Sequence, residues 1–168
     1  QKKRKWFFRK NILQLSFCYF CDMEIKGKLI IIGGAVDKGS FTEKDLDQNA
    51  PNNLNFFEEG ILKRIINESK HKELSRIEVI TTASSIPREI GPEYVKAFSY
   101  LGAENVDVLH IERREQASET EILDRLKAAD VVMFTGGDQL RLTSILGGTP
   151  FDEILINKYR NEDFVYAG

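Results

Sequence analysis

The chain alternates between short apolar runs that end in glycine or small polar residues and longer stretches whose apolar residues recur three and four positions apart. Leu29 to Ile32 is a continuous apolar run closed by Gly33 and Gly34, the pattern of a strand buried on both faces. Leu54, Phe57, Ile61 and Ile65, widened by Leu62 and Ile66, share one stripe and predict an amphipathic helix. Arg76 to Thr81 predicts a second strand, ending in the small polar turn Thr82-Ala83-Ser84-Ser85. Tyr94, Ala97, Phe98 and Leu101 predict a helix that stops at Gly102. Asn105 to Ile111 alternates as a third strand, and Ser118 with Glu121 has the form of a capping box opening a helix with Ile122, Leu123 and Leu126 inward. Val131 to Phe134 predicts a fourth strand, and Gln139 to Leu146 a helix with Leu142, Ile145 and Leu146 on one face. After the break at Gly147-Gly148-Thr149-Pro150, Phe151, Ile154, Leu155 and Tyr159 mark a last short helix, and Phe164 to Ala167 a fifth strand before Gly168.

Five β segments alternating with five helices imply a parallel sheet with right-handed crossovers. The expected fold is α/β: a doubly wound, three-layer, flavodoxin-like sandwich in one domain without repeats or linkers. The pattern stops on a buried strand with no helix to cover it, so residues 23–168 are expected to be the N-terminal portion of an α/β domain truncated after its fifth strand. Expressed alone, such a chain should be inactive and prone to aggregate through an uncovered sheet face and edge.

The richest stretch for chemistry is Asp130 to Gln139, D-V-V-M-F-T-G-G-D-Q. Gly136 and Gly137 let the chain turn sharply at a strand's carboxyl end and bring backbone amides near a ligand. Asp138 can cap the helix that follows. Gln139 is then a polar side chain at the place where open α/β sheets bind ligands; the plainer reading is a strand–turn–helix junction with a surface amide. Asp37 and Lys38 follow the first strand's turn, where they face either a ligand or solvent. Gly33-Gly34 does not fit G-x-G-x-x-G, which argues against a dinucleotide site. No G-x-S-x-G surrounds Ser84 or Ser85, and Pro87 follows closely, so a loop or cap role is expected there. His110 sits in a strand pattern with nothing to orient it and reads as structural rather than as a general base. Glu112-Arg113-Arg114-Glu115 reads as a solvated turn.

Charge changes the picture at the N-terminus. The chain has 168 residues, 42% hydrophobic and 30% charged, with net charge −2. Residues 1–22 carry +5 and residues 23–168 carry −7. The mildly acidic body disfavours nucleic acid as the main partner. Residues 1–22 pair a basic-aromatic start with an apolar stretch too short to span a membrane, which needs about 20 apolar residues. Upstream sequence ahead of Met23 is the preferred reading, with a signal-like segment or a membrane-surface segment as alternatives. The expected location is therefore cytoplasmic, or exported if residues 1–22 are a real signal. Cys18 and Cys21 both lie in this segment and read as incidental. The body has no cysteine, which excludes disulfides and thiol catalysis there, and its sequence shows no metal-ligand cluster.

Five stretches together resemble a known family: K-G-K-L-I-I-I-G-G-A-V-D-K-G-S, I-T-T-A-S-S-I-P, Y-V-K-A-F-S-Y-L-G, F-T-G-G-D-Q-L-R-L and L-G-G-T-P. They resemble the cyanophycinases, in the serine peptidase family that also includes the aspartyl dipeptidases and has a class I glutamine-amidotransferase-like fold. The resemblance covers Met23 to Gly168. It implies a serine exopeptidase acting on cyanophycin, an arginine-decorated polyaspartate, with release of β-aspartyl-arginine dipeptides. It implies no cofactor and no metal, no nucleic-acid or membrane partner, and allows a homodimer. The family's nucleophilic serine stands in a G-T-S-A-G-A turn; Gly168 matches its first glycine, so the serine would lie two positions past Gly168, with the histidine and acidic partner further downstream. By the same resemblance Gln139 helps hold substrate, and Gly136 and Gly137 offer amides to the oxyanion, with Asp138, Gly34 and Gly168 around them. The alternatives are an aspartyl dipeptidase of the same fold or a non-catalytic small-molecule-binding module.

Overall fold

The structure, a computed structural model, describes residues 25–33 and 60–168. In chain order its elements are β1 (Lys28–Ile30), α1 (Ile61–Glu68), β2 (Arg76–Ile80), α2 (Pro87–Tyr100), β3 (Asn105–Leu109), α3 (Thr120–Ala128), β4 (Val131–Phe134), α4 (Gln139–Leu146), α5 (Pro150–Asn161) and β5 (Val165–Ala167), with single 3₁₀ turns at Lys72–Leu74 and Arg114–Ser118. The five strands form one parallel sheet in the order β1-β5-β4-β2-β3.

That order explains the layers. The chain steps outward from β2 to β3, then reverses past β2 to reach β4 and β5. With right-handed crossovers, reversing the direction moves the connecting helix to the opposite face of the sheet. One core accordingly packs Leu62, Ile65 and Ile66 of α1 and Tyr94, Ala97 and Phe98 of α2 on Ile77, Val79, Val131 and Met133. The other packs Ile122 and Leu126 of α3, Leu146 of α4 and Phe151 and Leu155 of α5 on Ile80, Val132 and Phe134. Alternation along each strand thus feeds two cores, which is why β4 carries no polar residue.

A carboxylate lies inside the second layer. Glu78, 0% exposed, accepts from Arg125 of α3 (Nη2–Oε2 2.5 Å) and from Arg76 (Nε–Oε1 3.1 Å). Arg125 also pairs with Asp107 at 3.1 Å and donates to the Val108 carbonyl at 3.2 Å. Burial works against the guanidinium's charge, but the hydrogen bond and charge of Glu78, with Asp107 behind them, outweigh it and raise the Arg125 pKa. A carboxylate on a buried strand is stable only when paired this fully.

Several expectations need correction. β1 is not buried on both faces. It is an edge strand; Ile30 and Ile32 pack on the first core, whereas Leu29 and Ile31 on the other face are 50% and 79% exposed. β5 is not at an edge, because it lies between β1 and β4. The third strand stops at Leu109, which leaves His110 past its end. Ser118 does not cap a helix. Gln116 Oε1 accepts from the amides of Glu112 and Arg113, both at 2.9 Å, and draws the chain into the 3₁₀ turn that absorbs Ser118; α3 then starts two residues later without a side-chain cap. The same turn takes in Arg114 and Glu115, and Arg114 reaches the Ser144 carbonyl at 2.9 Å. Leu54, Phe57, Gly34, Asp37, Lys38, Cys18 and Cys21 lie outside the described residues.

Candidate functional site

Because β3 and β4 flank β2, the reversal of chain direction falls between β2 and β4, at whose carboxyl ends a crevice opens in sheets of this kind. Two turns meet there. The one after β2 runs Thr81 to Ile86, with Ser84 buried and its Oγ accepting from the Ile86 amide at 3.1 Å. That is a turn-stabilising hydroxyl rather than a displayed nucleophile. The one after β4 is Thr135-Gly136-Gly137-Asp138. They are stitched together by Thr135 N to Ile80 O at 3.0 Å and Asp138 N to Ala83 O at 2.9 Å.

Gly137 owes its identity to that seam. Its φ is +155°, and a Cβ built on it would stand 2.0 Å from the Ala83 carbonyl oxygen. Gly136, exposed like Gly137, differs in that a Cβ there would meet nothing within 4 Å. Its backbone faces open space of the kind a ligand could enter. Neither glycine donates its amide to another described residue.

Asp138 is an N-cap. Its Oδ1 accepts from Leu140 N at 2.8 Å and Arg141 N at 3.4 Å. A carboxylate there satisfies amides that the helix leaves open and sits favourably at the positive end of its dipole. With the Thr135 and Asp138 amides occupied as well, the turn's remaining backbone N–H donors are the two glycines. Gln139 is the first residue of α4 and is exposed, beside Leu140, which is 79% exposed; Arg141 is half-buried.

Gly168 closes the other flank. It donates to Ile30 O at 3.1 Å and accepts from Ile32 N at 2.8 Å, so the end of β1 and the end of β5 meet there. A side chain at 168 would come within 2.9 Å of Phe134 Cβ, so glycine lets the chain pass close over β4. The structure therefore brings Gly136, Gly137, Asp138, Gln139 and Gly168 to one end of the sheet, with Gly33 nearby; Gly34 is not among the described residues. No group of three or more histidine, cysteine or acidic side chains that could hold a metal occurs among the described residues.

The sequence reading missed a polar row across this edge. His110, Thr81 and Thr135 each stand one residue beyond a strand, and the pairings Leu109 with Ile80 and Ile80 with Phe134 place them in register. The Thr81 hydroxyl lies 3.1 Å from His110 Nδ1, so the imidazole does have an orienting partner. Nothing in the local sequence shows this, because the contact joins residues 29 apart and follows only from the strand order.

Comparisons with known proteins agree with this architecture. The sequence model of Peptidase family S51 matches residues 53–168. The chain is 40% identical over 92 residues to a cyanophycinase of Trichormus variabilis, covering 55% of this chain and 31% of that one. It is 38% identical over 92 residues to the cyanophycinase of Geminocystis herdmanii, covering 55% and 34%. The chain thus matches about a third of the length of these relatives. Among solved structures, a peptidase from an acI-B1 Actinobacterium superposes with a TM-score of 0.63 at 20% identity, covering 89% of this chain and 56% of that one. A protein of Listeria monocytogenes EGD-e assigned to peptidase E superposes with a TM-score of 0.51 at 23% identity, covering 67% and 54%. At those identities the structures support the fold alone, and the family match shows the family. With more than half its length matched, and G-G-D-Q at the sheet's switch point, the chain belongs to Peptidase family S51.

Proposed function

We propose that this chain supplies the substrate-facing half of the active site of a cyanophycinase-like serine exopeptidase, which releases β-aspartyl-arginine dipeptides from cyanophycin. The observation that carries the reading is the junction after β4. Two glycine amides with no described partner are followed by a capped helix whose first residue presents an exposed amide side chain, Gln139, at the crevice. The identity to cyanophycinases supports the choice of substrate.

In this reading the nucleophile stands on the turn that follows β5, two positions past Gly168. Its hydroxyl oxygen attacks the acyl carbon while a histidine takes the proton. The C–N bond then breaks, the histidine returns the proton to the leaving amine, and water hydrolyses the resulting ester. The residues of this chain bind and polarise. Gly136 and Gly137 direct amides at the oxygen that gains charge, and one such donor lowers the barrier by about 3 kcal/mol. Gln139 holds the polar main chain of the substrate beside them. Asp138 fixes both by pinning the helix start.

The test is dipeptide release from purified cyanophycin by the complete polypeptide, with free Asp-X dipeptides as the competing substrate. Gln139→Ala should raise KM for cyanophycin about tenfold, as loss of one or two substrate hydrogen bonds does. Cleavage of Asp-X dipeptides with cyanophycin untouched would reassign the enzyme to the dipeptidase branch.

A further inference from the structure

Arg88, His110 and Glu112 share the outer corner of the carboxyl edge, where β3 ends beside the start of α2. Val106 and Val108 pack on the first core, so His110, at the next alternate position, stands on the side of the sheet that α2 covers. Gly91 lets α2 lie close there, since a Cβ on it would stand 3.0 Å from Val108 Cγ1. Arg88, in the first turn of α2, then meets Glu112, two residues past His110, at 4.0 Å.

The backbone of this corner is fixed while its side chains stay available. Thr82 Oγ1 donates to the Ile111 carbonyl at 2.9 Å, Gln116 Oε1 accepts from the Glu112 amide at 2.9 Å, and the Thr81 hydroxyl lies 3.1 Å from His110 Nδ1. His110 is exposed, and its Nε2 has no partner among the described residues. The Arg88 and Glu112 side chains are 86% and 41% exposed. An exposed pair at the limit of ion-pair distance contributes little to stability, so either member exchanges its partner for a ligand at small cost.

We propose that Arg88, His110 and Glu112 form an outer subsite that takes the arginine of one substrate unit. This rests on the cyanophycinase reading above. An arginine joined through its α-amino group to an aspartate β-carboxyl keeps both its guanidinium and a free carboxylate. Glu112 gives the guanidinium a counter-charge, Arg88 does the same for the carboxylate, and His110 adds its free Nε2 from the same corner. β3 stands two strands from β4. The corner is therefore about 10 Å from the Gly136–Gly137 turn, a span of about three residues of extended chain. It reads a unit beyond the two that flank the cut, and so favours a polymer over a short peptide.

The experiment gives the complete polypeptide two substrates, purified cyanophycin and a synthetic peptide of two units with the same linkage. Arg88→Gln, Glu112→Gln and His110→Ala should each raise KM for the polymer about three- to fivefold, as loss of one exposed polar contact does. The polymer's kcat should hold, because only ground-state binding is lost, and KM for the two-unit peptide should stay within about twofold of wild type. About 0.5 M salt should raise the wild-type KM for the polymer and narrow its lead over Arg88→Gln and Glu112→Gln, since charges this exposed are screened. An unchanged polymer KM in all three variants, with the wild type active, would overturn the subsite and leave the cyanophycinase reading standing. Equal losses on both substrates, or a fall in kcat, would overturn it as well, by giving these residues a role at the catalytic centre or in the fold. A wild type that releases no dipeptide from the polymer removes the cyanophycinase reading and the subsite with it.

Discussion

At the scale of single residues, G-G-D-Q separates into four different jobs. Gly137 is a packing glycine: the Ala83 carbonyl occupies the space of its side chain and its φ is +155°. Gly137→Ala should destabilise the fold by about 3 kcal/mol or more in a denaturant titration, because backbone of both turns must move. Gly136, with open space around it, should accept alanine without such a loss. Asp138 is a cap, so Asp138→Ala should cost about 1 kcal/mol and Asp138→Asn much less, since asparagine caps as well; equal losses would show that charge at the helix start matters more than the hydrogen bond. The cap was legible from sequence, because Asp before an apolar-periodic stretch is a local signal. The difference between the two glycines was not, since it depends on a carbonyl more than fifty residues away. Gly34 and Gly168 divide similarly: the structure places Gly168 against Phe134, whereas Gly34 falls outside the described residues.

At the scale of elements, periodicity located β2, β4, α4 and α5 closely, because each is bounded by glycine, proline or a capping residue. It failed where the decisive partner is distant. The run Leu29 to Ile32 looks buried on both faces because apolar composition says nothing of sheet order, and an edge position leaves Leu29 and Ile31 exposed. His110 looked unoriented because Thr81 lies across the sheet. Glu78, which nothing in the local pattern singles out, is buried and held by Arg125 and Arg76. Glu78→Gln leaves the Arg125 guanidinium short of its counter-charge, so it should lose about 3–5 kcal/mol of stability. A double change of Glu78 and Arg125 to apolar residues of similar volume should recover much of that loss. Equal stabilities of Glu78→Gln and wild type would mean that the pair does not anchor α3 to the sheet.

At the scale of the whole molecule, the strand order β1-β5-β4-β2-β3 converts an alternating sequence into a two-cored sandwich. The doubly wound class followed from the βα alternation alone; the order did not, because many orders share that alternation and only long-range pairing selects one. That order leaves β1 at a sheet edge with Leu29 and Ile31 exposed, an apolar edge through which copies of the chain can associate. Ile31→Lys should therefore reduce concentration-dependent association in sedimentation without lowering the melting temperature; a marked fall in melting temperature would show that Ile31 is part of the packed fold. No helix among the described residues is long and apolar enough to cross a membrane. The chain belongs to Peptidase family S51, and its G-G-D-Q junction lies at the carboxyl edge of the sheet, where the proposed active site would stand.

The most direct test of that account is mass-spectrometric detection of β-aspartyl-arginine after incubating the complete polypeptide with purified cyanophycin, alongside its Gln139→Ala variant. The account predicts dipeptide release by the wild type and a strongly raised KM in the variant. No release by a folded wild type, or release unaffected by the loss of Gln139, would contradict it.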